Sequence, residues 1–257
     1  MAITSDQLAA ELPGLLRYAR ALTRDEDNAA DLVQETALRA LERADQFRGE
    51  AALGTWLHRI MYHRFLDLAR RRQPVPMEAE ALIAANERNW ADDAYTVSAE
   101  VVAERTEDRE ALLDALIRLP ASYRSAVLLH DLEALTAVQV AEVQQVGLPA
   151  AKQRIRRGRQ LLVSALAEGS ERRANLAGVP LNCWTARSRV GDYLEGELAP
   201  TERQRLEQHL AGCPTCPALY AGIVGVTGAL AAMRDPDSVI PAEVAQRVRA
   251  ALSDREA

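Results

Sequence analysis

The chain has 257 residues, a formal net charge of −6, 48% apolar residues and only 4% aromatic residues. This length suits two or three small domains rather than one. Alanine, leucine, arginine and glutamate dominate and β-branched runs are scarce, which excludes a mainly β fold and predicts an all-α protein.

Charge is distributed unevenly along the chain. Residues 1–72 are neutral overall, 73–108 carry −7, 109–167 carry +3 and 168–257 carry −2. The acidic total by itself argues against a nucleic-acid partner. One acidic segment therefore masks a basic region, and a DNA phosphate would meet the local field of that region.

Targeting signals and disulfides are not indicated. Met1–Leu12 contains acidic residues and no apolar core, so no secretory leader is expected. The weakly polar run Ala218–Met233 is shorter than the roughly twenty residues of a membrane span, which predicts a buried or interfacial helix. We therefore expect a cytoplasmic protein, whose three cysteines serve a metal or redox role.

Residues 1–72 predict a small helical bundle. The first helix has one apolar face, formed by Leu12, Leu15, Leu16, Ala19 and Leu22. A second helix runs from about residue 29 to 44. The third has its apolar face at Leu57, Ile60, Met61, Phe65 and Leu68, and ends in Arg70–Arg72 before Pro74.

Residues 73–108 are expected to form a linker. The segment opens with prolines and continues as acidic, alanine-rich sequence, parts of which can be helical. Its charge predicts a poor core and a flexible tether.

Residues 109–167 have the pattern of a helix-turn-helix domain. After a short apolar helix that Pro120 stops, a helix is predicted over 122–132, followed by two helices around a short turn. Thr136 and Gln139 have the spacing of a capping box at the first of these. Gly147 can act as the N-cap of the second.

That second helix is strongly basic. Five of the eight residues Lys152–Arg159 are cationic, whereas Ala151, Ile155, Leu162 and Leu166 form a buried stripe. The cations therefore project from the other sides, where they can contact phosphates and base edges in a major groove. The alternative is an ordinary solvated helix face.

The last segment, 180–257, is predicted to be a small helical zinc-binding domain. Its four candidate ligands have the spacing C-x25-H-x3-C-x2-C and are Cys183, His209, Cys213 and Cys216. Three thiolates and one imidazole complete a tetrahedral structural Zn²⁺ site. The alternative is three incidental buried cysteines.

The basic domain resembles the promoter −35 binding domain of extracytoplasmic-function (ECF) sigma factors. The resemblance covers Leu112–Leu166 and is carried by Leu119-Pro120, Arg124, Leu128-Leu129, Asp131-Leu132-Glu133, Leu135-Thr136, Val140-Ala141-Glu142 and Lys152–Arg159. It implies that the −35 element is contacted by Lys152, Gln153, Arg156, Arg157 and Arg159. Gln145 replaces the family's turn glycine, and a left-handed residue there costs on the order of 1 kcal/mol.

The N-terminal bundle resembles the other conserved region of the same family. Asp31–Thr36 and Leu38–Ala40 resemble the polymerase-binding helix, which implies contacts to core RNA polymerase from Asp31, Gln34, Glu35 and Arg39. The blocks Phe47–Gly49, Thr55–Leu57, Arg59-Ile60, Asp67 and Arg70–Arg72 match the −10 recognition and melting region. The implied −10 contacts are Arg48, Trp56, Arg59, His63 and Arg64.

Trp56 and His63 differ from the other −10 residues in what is expected of them. Trp56 is expected to be partly core. His63 stands where many members of the family carry asparagine, and its different hydrogen bonding changes the expected base preference.

The C-terminal segment resembles the zinc-binding anti-sigma domain. The resemblance lies in Tyr193–Leu198, Glu202-Arg203 and His209–Cys213. In that family such a unit wraps a sigma factor and blocks polymerase, usually as a separate protein. Here it is fused, so we expect an intramolecular contact with the sigma domains, with either an inhibitory or an activating effect.

These features predict three successive helical modules, at residues 1–72, 109–167 and 180–257, with a linker at 73–108 between the first two. The predicted function is promoter-directed transcription initiation with core RNA polymerase, regulated in cis by a domain that holds one Zn²⁺. No catalytic constellation is present, so no enzyme is expected. Two alternatives are a helix-turn-helix repressor that acts without polymerase, and a thiol or zinc redox protein.

Overall fold

The computed structural model describes residues 3–49, 51–72, 76–168, 172–173, 183–213 and 215–233, and these residues are almost entirely helical. The α-helices are α1 (Ser5–Thr23), α2 (Glu26–Glu42), α3 (Leu53–Arg72), α4 (Pro76–Ala91), α5 (Ala99–Glu107), α6 (Arg109–Arg118), α7 (Ala121–Val127), α8 (Ala137–Gln144), α9 (Leu148–Ala167), α10 (Cys183–Leu194), α11 (Pro200–Gly212) and α12 (Cys216–Ala232). A 3₁₀ turn covers Ala44–Gln46 and a π-helical segment covers Leu128–Leu132. Strands β1 (Tyr95–Thr96) and β2 (Arg172–Arg173) pair antiparallel, with Tyr95 opposite Arg173. The all-α prediction is confirmed.

Side-chain caps set the starts of several helices. The predicted capping box at α8 is present: the Gln139 amide donates to Thr136 Oγ1 at 3.3 Å, and the Thr136 amide donates to Gln139 Oε1 at 2.8 Å. Thr4 and Gln7 form the same motif at α1. Such caps satisfy first-turn amides that have no intrahelical partner.

The turn of the helix-turn-helix has the predicted conformation. Gln145 is left-handed, with φ 52°, where the family's glycine is expected. The Gly147 carbonyl accepts the first intrahelical hydrogen bond of α9 from the Ala151 amide at 3.1 Å. The backbone therefore makes the turn although Gln145 replaces glycine, and Gln145 adopts the left-handed conformation that glycine would adopt without strain.

Two compact units make up the chain. The first takes its residues from Met1–Pro74, Pro120–Ile155 and Leu230–Ala257. In its described part, α1, α2 and α3 bury the predicted apolar faces, including Leu15, Leu22 and Leu57, each at 0% exposure. Helix α7, the π-helical segment and α8 pack on this bundle, chiefly against α1 and α3.

The second unit comprises Val75–Leu119 and Arg156–Ala229. It contains the helices α4, α5 and α6, the second half of α9, and nearly all of α10 to α12. Residues 109–167 therefore contribute to both units, so packing in this structure divides the chain differently from the modules predicted above. The predicted domain boundaries stay a prediction.

The linker differs from the flexible tether with a poor core that its charge predicts. Residues 76–107 form two helices and a strand, and Trp90, Tyr95, Val97 and Val102 are buried at 1–3% exposure. Trp90 Nε1 donates to Ser164 Oγ of α9 at 3.0 Å. Because several of its acids, such as Glu100, Glu104 and Glu107, are exposed while a few apolar residues are buried, a charged segment still gains a core.

Helix α12 packs closely on its neighbours. A Cβ atom at Gly222 would lie 3.0 Å from Val163 Cγ1, so glycine permits the close approach. Across the described residues no individual helix has the length and apolarity of a membrane span; α11 and α12 meet that criterion only in combination, with a 113° bend. The terminal helix expected at 241–252 lies outside the described residues.

Candidate nucleic-acid interface and metal centre

The predicted polymerase-binding residues lie on the outer face of α2. Helix α2 buries its small and apolar residues, such as Leu32 and Val33. Asp31 is exposed, whereas the other three are half-buried. Glu35 accepts a hydrogen bond from Arg64 Nε at 2.5 Å and pairs with Arg39 Nη2 at 2.9 Å. Glu35 thus joins the predicted polymerase face to one of the predicted −10 residues.

A cavity of about 680 Å³ lies beside the start of α3. Its lining consists of Asp45, Gln46, Phe47, Arg48, Gly49, Ala51, Thr55, Trp56, Arg59 and Glu142. Trp56 is only 5% exposed and packs on Phe47 with the ring centroids 5.3 Å apart, so it is buried more deeply than the partly core position that was expected. Aromatic surface beside two arginines can stack an unstacked base and contact its phosphates.

The five predicted −10 residues have different surroundings. Arg48, Trp56 and Arg59 line the cavity, whereas Arg64 is held by Glu35. His63 is half-buried and neighbours Gln145 of the helix-turn-helix turn. Burial lowers the pKa of His63, with Asp67 acting in the opposite direction.

Helix α8 of the helix-turn-helix packs against α3. Its Glu142 places a carboxylate in the lining of the cavity that also holds Arg48 and Arg59. Farther along, Arg124 Nη1 donates to the Leu22 carbonyl at 2.6 Å, and its guanidinium lies 5.7 Å from the Phe65 ring centroid. The predicted −10 face of α3 is therefore partly covered by α8.

A buried polar network in this unit was not predicted from the sequence. Arg17 donates to both carboxylate oxygens of Glu133, at 2.9 and 2.6 Å, and His58 Nε2 lies 4.0 Å from Glu133 Oε2. Burial lowers the pKa of His58 to about 4. Arg17 and Glu133 are 116 residues apart in the sequence, so no local sequence pattern could have indicated that they pair.

The predicted −35 residues occupy very different environments along α9. Gln153 is exposed and Lys152 is half-buried. Arg159 is only 4% exposed and Arg159 Nη2 lies 3.1 Å from Glu195 Oε1. Arg157 forms an ion pair with Glu87 of α4. The expectation that all the cations project away from the protein is therefore wrong for Arg159, since acidic side chains from α4 and from the loop after α10 pack over this half of the helix.

The four predicted metal ligands meet in one place. Cys183 begins α10, His209 lies in the last turn of α11, Cys213 follows that helix and Cys216 begins α12. The four ligand atoms lie within 4.8 Å of one another. Cys183 Sγ is 3.6 Å from Cys213 Sγ, and His209 Nε2 is 3.3 Å from Cys216 Sγ.

These residues fit a tetrahedral Zn²⁺ ion. Zinc–sulfur bonds of about 2.3 Å and a zinc–nitrogen bond of about 2.0 Å place neighbouring ligand atoms roughly 3.5–3.8 Å apart. Burial raises the pKa of Cys213, but its contact with the Thr215 hydroxyl and hydrogen bonds from the Cys216 and Thr215 amides outweigh this effect and lower the pKa to about 7. Burial raises the pKa of Cys183 to about 12. Cys213 is thus prepared to bind as a thiolate.

Two residues beside the ligands were missed by sequence reasoning. Arg187 is 2% exposed, and its guanidinium donates to the carbonyls of Trp90, Asp92, Asp93 and Tyr95 at 2.7–3.2 Å. It also donates to Thr215 Oγ1 at 3.0 Å. Two features of the sequence could have indicated these residues. Arg187 lies four residues after Cys183, and Thr215 lies within the Cys-x2-Cys knuckle.

Three protein-family models match the chain. Sigma-70 region 2 matches residues 8–75, and Sigma-70 region 4 matches residues 109–162. A putative zinc-finger model matches residues 185–216. This last range includes His209, Cys213 and Cys216 but not Cys183.

Several curated proteins are similar over more than half of the chain. The ECF RNA polymerase sigma factor SigE of Mycolicibacterium smegmatis is 35% identical over 161 residues, which span 63% of this chain and 60% of that protein. SigM of Mycobacterium tuberculosis is 32% identical over 155 residues, spanning 59% of this chain and 71% of that protein. SigW of Bacillus subtilis is 26% identical, and the match spans 54% of this chain and 76% of that protein.

A solved structure also aligns with the chain. It is the sigma factor RpoE in complex with the anti-sigma factor NepR from Bartonella quintana, with 21% identity and a TM-score of 0.45. The alignment covers 63% of this chain and 94% of that one.

Proposed function

Because this chain belongs to the family of ECF RNA polymerase sigma factors, we propose that it binds core RNA polymerase and directs it to specific promoters. The observation that carries the proposal is the order of the two sigma regions in one chain, with a basic recognition helix in the second. RNA synthesis itself belongs to the polymerase. Such a partner would place the protein in the cytoplasm.

The N-terminal bundle provides the polymerase and −10 contacts in this proposal. The outer face of α2, with Asp31, Gln34, Glu35 and Arg39, grips the polymerase. The cavity at the start of α3 receives an unstacked base, with Trp56 and Phe47 as aromatic wall and with Arg48 and Arg59 near the phosphates. His63 and Arg64 extend this contact once α3 is uncovered.

The basic half of α9 reads the −35 element. Lys152 and Gln153 begin the contact, and Arg156, Arg157 and Arg159 continue it along the helix. Arg157 and Arg159 now pair with Glu87 and Glu195, so these acids must be displaced before both arginines reach DNA.

The C-terminal domain regulates the sigma regions in cis. Its support is the ion pair of Arg159 with Glu195, which places a carboxylate of the zinc module on a predicted DNA-contact residue. Cys183, His209, Cys213 and Cys216 would hold one Zn²⁺, whose chemistry there is structural cross-linking of three helix ends. An acid that occupies a phosphate-binding arginine favours inhibition over activation.

Run-off transcription tests this function. Full-length protein added to core polymerase should give promoter-dependent transcripts, and Asp31→Lys should abolish them and co-purification with polymerase. The matched control is Asp27→Lys, an equal charge reversal in the first turn of the same helix. Promoter binding without any transcript would favour the repressor alternative instead.

Metal analysis tests the zinc site separately. One zinc per chain is expected, and the double variant Cys213→Ser and Cys216→Ser should lose it because two of the four ligands are removed. Full zinc occupancy in the double variant would show that the ligands are wrong.

A further inference from the structure

The zinc module contacts the inter-region linker through its metal-binding knuckle. Thr215, which lies between Cys213 and Cys216, is 0% exposed and donates from Oγ1 to the Asp93 carbonyl at 3.1 Å. In return, Thr96 Oγ1 donates to the Thr215 carbonyl at 3.3 Å. The knuckle loop and linker residues 90–96 are therefore directly hydrogen-bonded.

Arg187 is the centre of this contact. It donates to four carbonyls of the linker and to Thr215, all of them neutral acceptors. A buried guanidinium without an opposite charge is costly. Its Nε also has no hydrogen-bond partner among the described atoms. Carbonyl acceptors alone thus leave both the charge and one donor of Arg187 uncompensated.

A bound metal centre would supply the missing charge. Three thiolates, one neutral imidazole and one Zn²⁺ carry a net charge of −1, which matches one guanidinium. Arg187 lies close enough to Cys216 for its charge to lower the pKa of that thiol, although burial raises the pKa overall. A cationic group that hydrogen-bonds a metal thiolate both orients the ligand and compensates its charge.

We propose that Arg187 and Thr215 form a latch that makes the order of linker residues 90–96 depend on occupancy of the metal site. With the metal bound, the cross-linked knuckle holds Thr215 against Arg187 and the Asp93 carbonyl, and the Arg187 guanidinium holds the linker carbonyls. Without the metal, the knuckle loses its cross-link, and Arg187 keeps a buried charge that only neutral carbonyls and one hydroxyl face. The linker segment then detaches.

The latch bears on promoter binding because this linker joins the two DNA-reading regions. An extended chain covers roughly 3.3 Å per residue, whereas a helix covers about 1.5 Å. A linker fixed at its middle therefore has less reach than a released one. This step rests on the proposed sigma function, whereas the latch itself does not.

Hydrogen–deuterium exchange of the full chain tests the latch. Amides of 90–97 should be protected in the zinc-loaded protein and should exchange at least tenfold faster after zinc is removed by a chelator. Arg187→Lys keeps the positive charge but removes the planar guanidinium that donates several hydrogen bonds at once. This variant should therefore retain one zinc per chain and yet lose the protection of the linker amides from exchange. Arg189→Lys, two residues along α10 and paired with Glu202, is the matched control and should behave as wild type.

A second variant covers the case in which Arg187→Lys does not fold. Thr96→Val removes one knuckle–linker hydrogen bond with little change in volume, and should raise exchange at 95–97 while zinc content stays at one per chain. Equal linker protection in the zinc-loaded and chelated proteins would overturn the latch, as would full protection in both variants. Run-off transcription is measured in parallel, and it distinguishes failure of the proposed sigma function from failure of the latch.

Discussion

Single residues decide which parts of the basic helix can meet DNA. Arg159 was expected to face solvent, but its side chain is 5% exposed and pairs with Glu195. Arg157 is similarly paired with Glu87. Both acids come from segments with a net negative charge, so the charge asymmetry seen along the sequence has a structural use. Under the proposed function, the carboxylates occupy positions that DNA phosphates would take.

Removing the Glu195 charge should strengthen DNA binding. Glu195→Gln weakens the pair with Arg159, and since Glu195 is more than a third exposed the pair contributes at most about 1 kcal/mol. We expect up to about fivefold tighter binding to a matched −35 duplex, measured by fluorescence anisotropy at fixed salt. Glu197→Gln is the control for the same change in net charge; an equal gain in both variants would rule out a specific contact.

The buried His58 should make the first unit sensitive to mild acid. Burial lowers its pKa from 6.5 to about 4, and Arg17 acts in the same direction. As the pH falls from 6.5 towards 4, the unfolded state binds a proton that the folded state refuses, so the free energy of unfolding falls. Between pH 7 and pH 5 this loss should be roughly 1–2 kcal/mol.

Urea unfolding of wild type and His58→Gln at both pH values measures this loss. The variant should lose less stability on acidification than wild type, because glutamine does not titrate. His63→Gln serves as the control, since His63 is less buried than His58. An identical pH dependence in wild type and His58→Gln would contradict the assignment.

At the scale of elements, close packing decides how α12 joins the second unit. Gly222 and Gly225 are both interior glycines of α12, but only Gly222 faces Val163 closely. The sequence shows two equivalent helix-weakening glycines, whereas the structure separates them. Gly222 is required for the close packing of α12, whereas Gly225 is not.

Alanine substitutions should therefore have opposite effects at these two positions. Gly225→Ala should stabilise the protein by up to about 1 kcal/mol through helix propensity, because nothing lies within 4 Å of the added Cβ. Gly222→Ala brings a methyl group to 3.0 Å from Val163 Cγ1, so its gain should be cancelled or reversed. Thermal unfolding of the zinc-loaded chain measures both; equal stabilisation would show that α12 does not pack as described.

For the whole molecule, the question is whether the C-terminal module inhibits. Truncation after Ala167 removes Glu195, Arg187 and the metal ligands together, and so releases the linker and α9. If the contacts described above are inhibitory, the truncated protein should give more run-off transcript than the full chain at equal concentration. Equal activity would exclude regulation in cis, and lost activity would support an activating module.

The sequence by itself determined the elements and the local motifs. The 3.6-residue periodicity predicted the buried faces of α1 and α3, the Thr136–Gln139 spacing predicted the cap of α8, and the cysteine and histidine spacing predicted the ligands that meet within 4.8 Å. These features are local or limited to a few chemical types. Short-range geometry and metal-ligand chemistry are therefore sufficient to predict them.

Only the tertiary structure decided what covers the functional residues. The pairing of Arg159 with Glu195, the packing of α8 on α3 and the hold of Arg187 on linker carbonyls join residues that are 36 to 97 positions apart in the clearest cases. Charged side chains tolerate many solvated positions, so their partners are set by which segments pack together and not by sequence pattern. The linker shows the same physical reason: its composition predicts a solvated tether, but a few apolar residues and one buried arginine are enough to fix it in place.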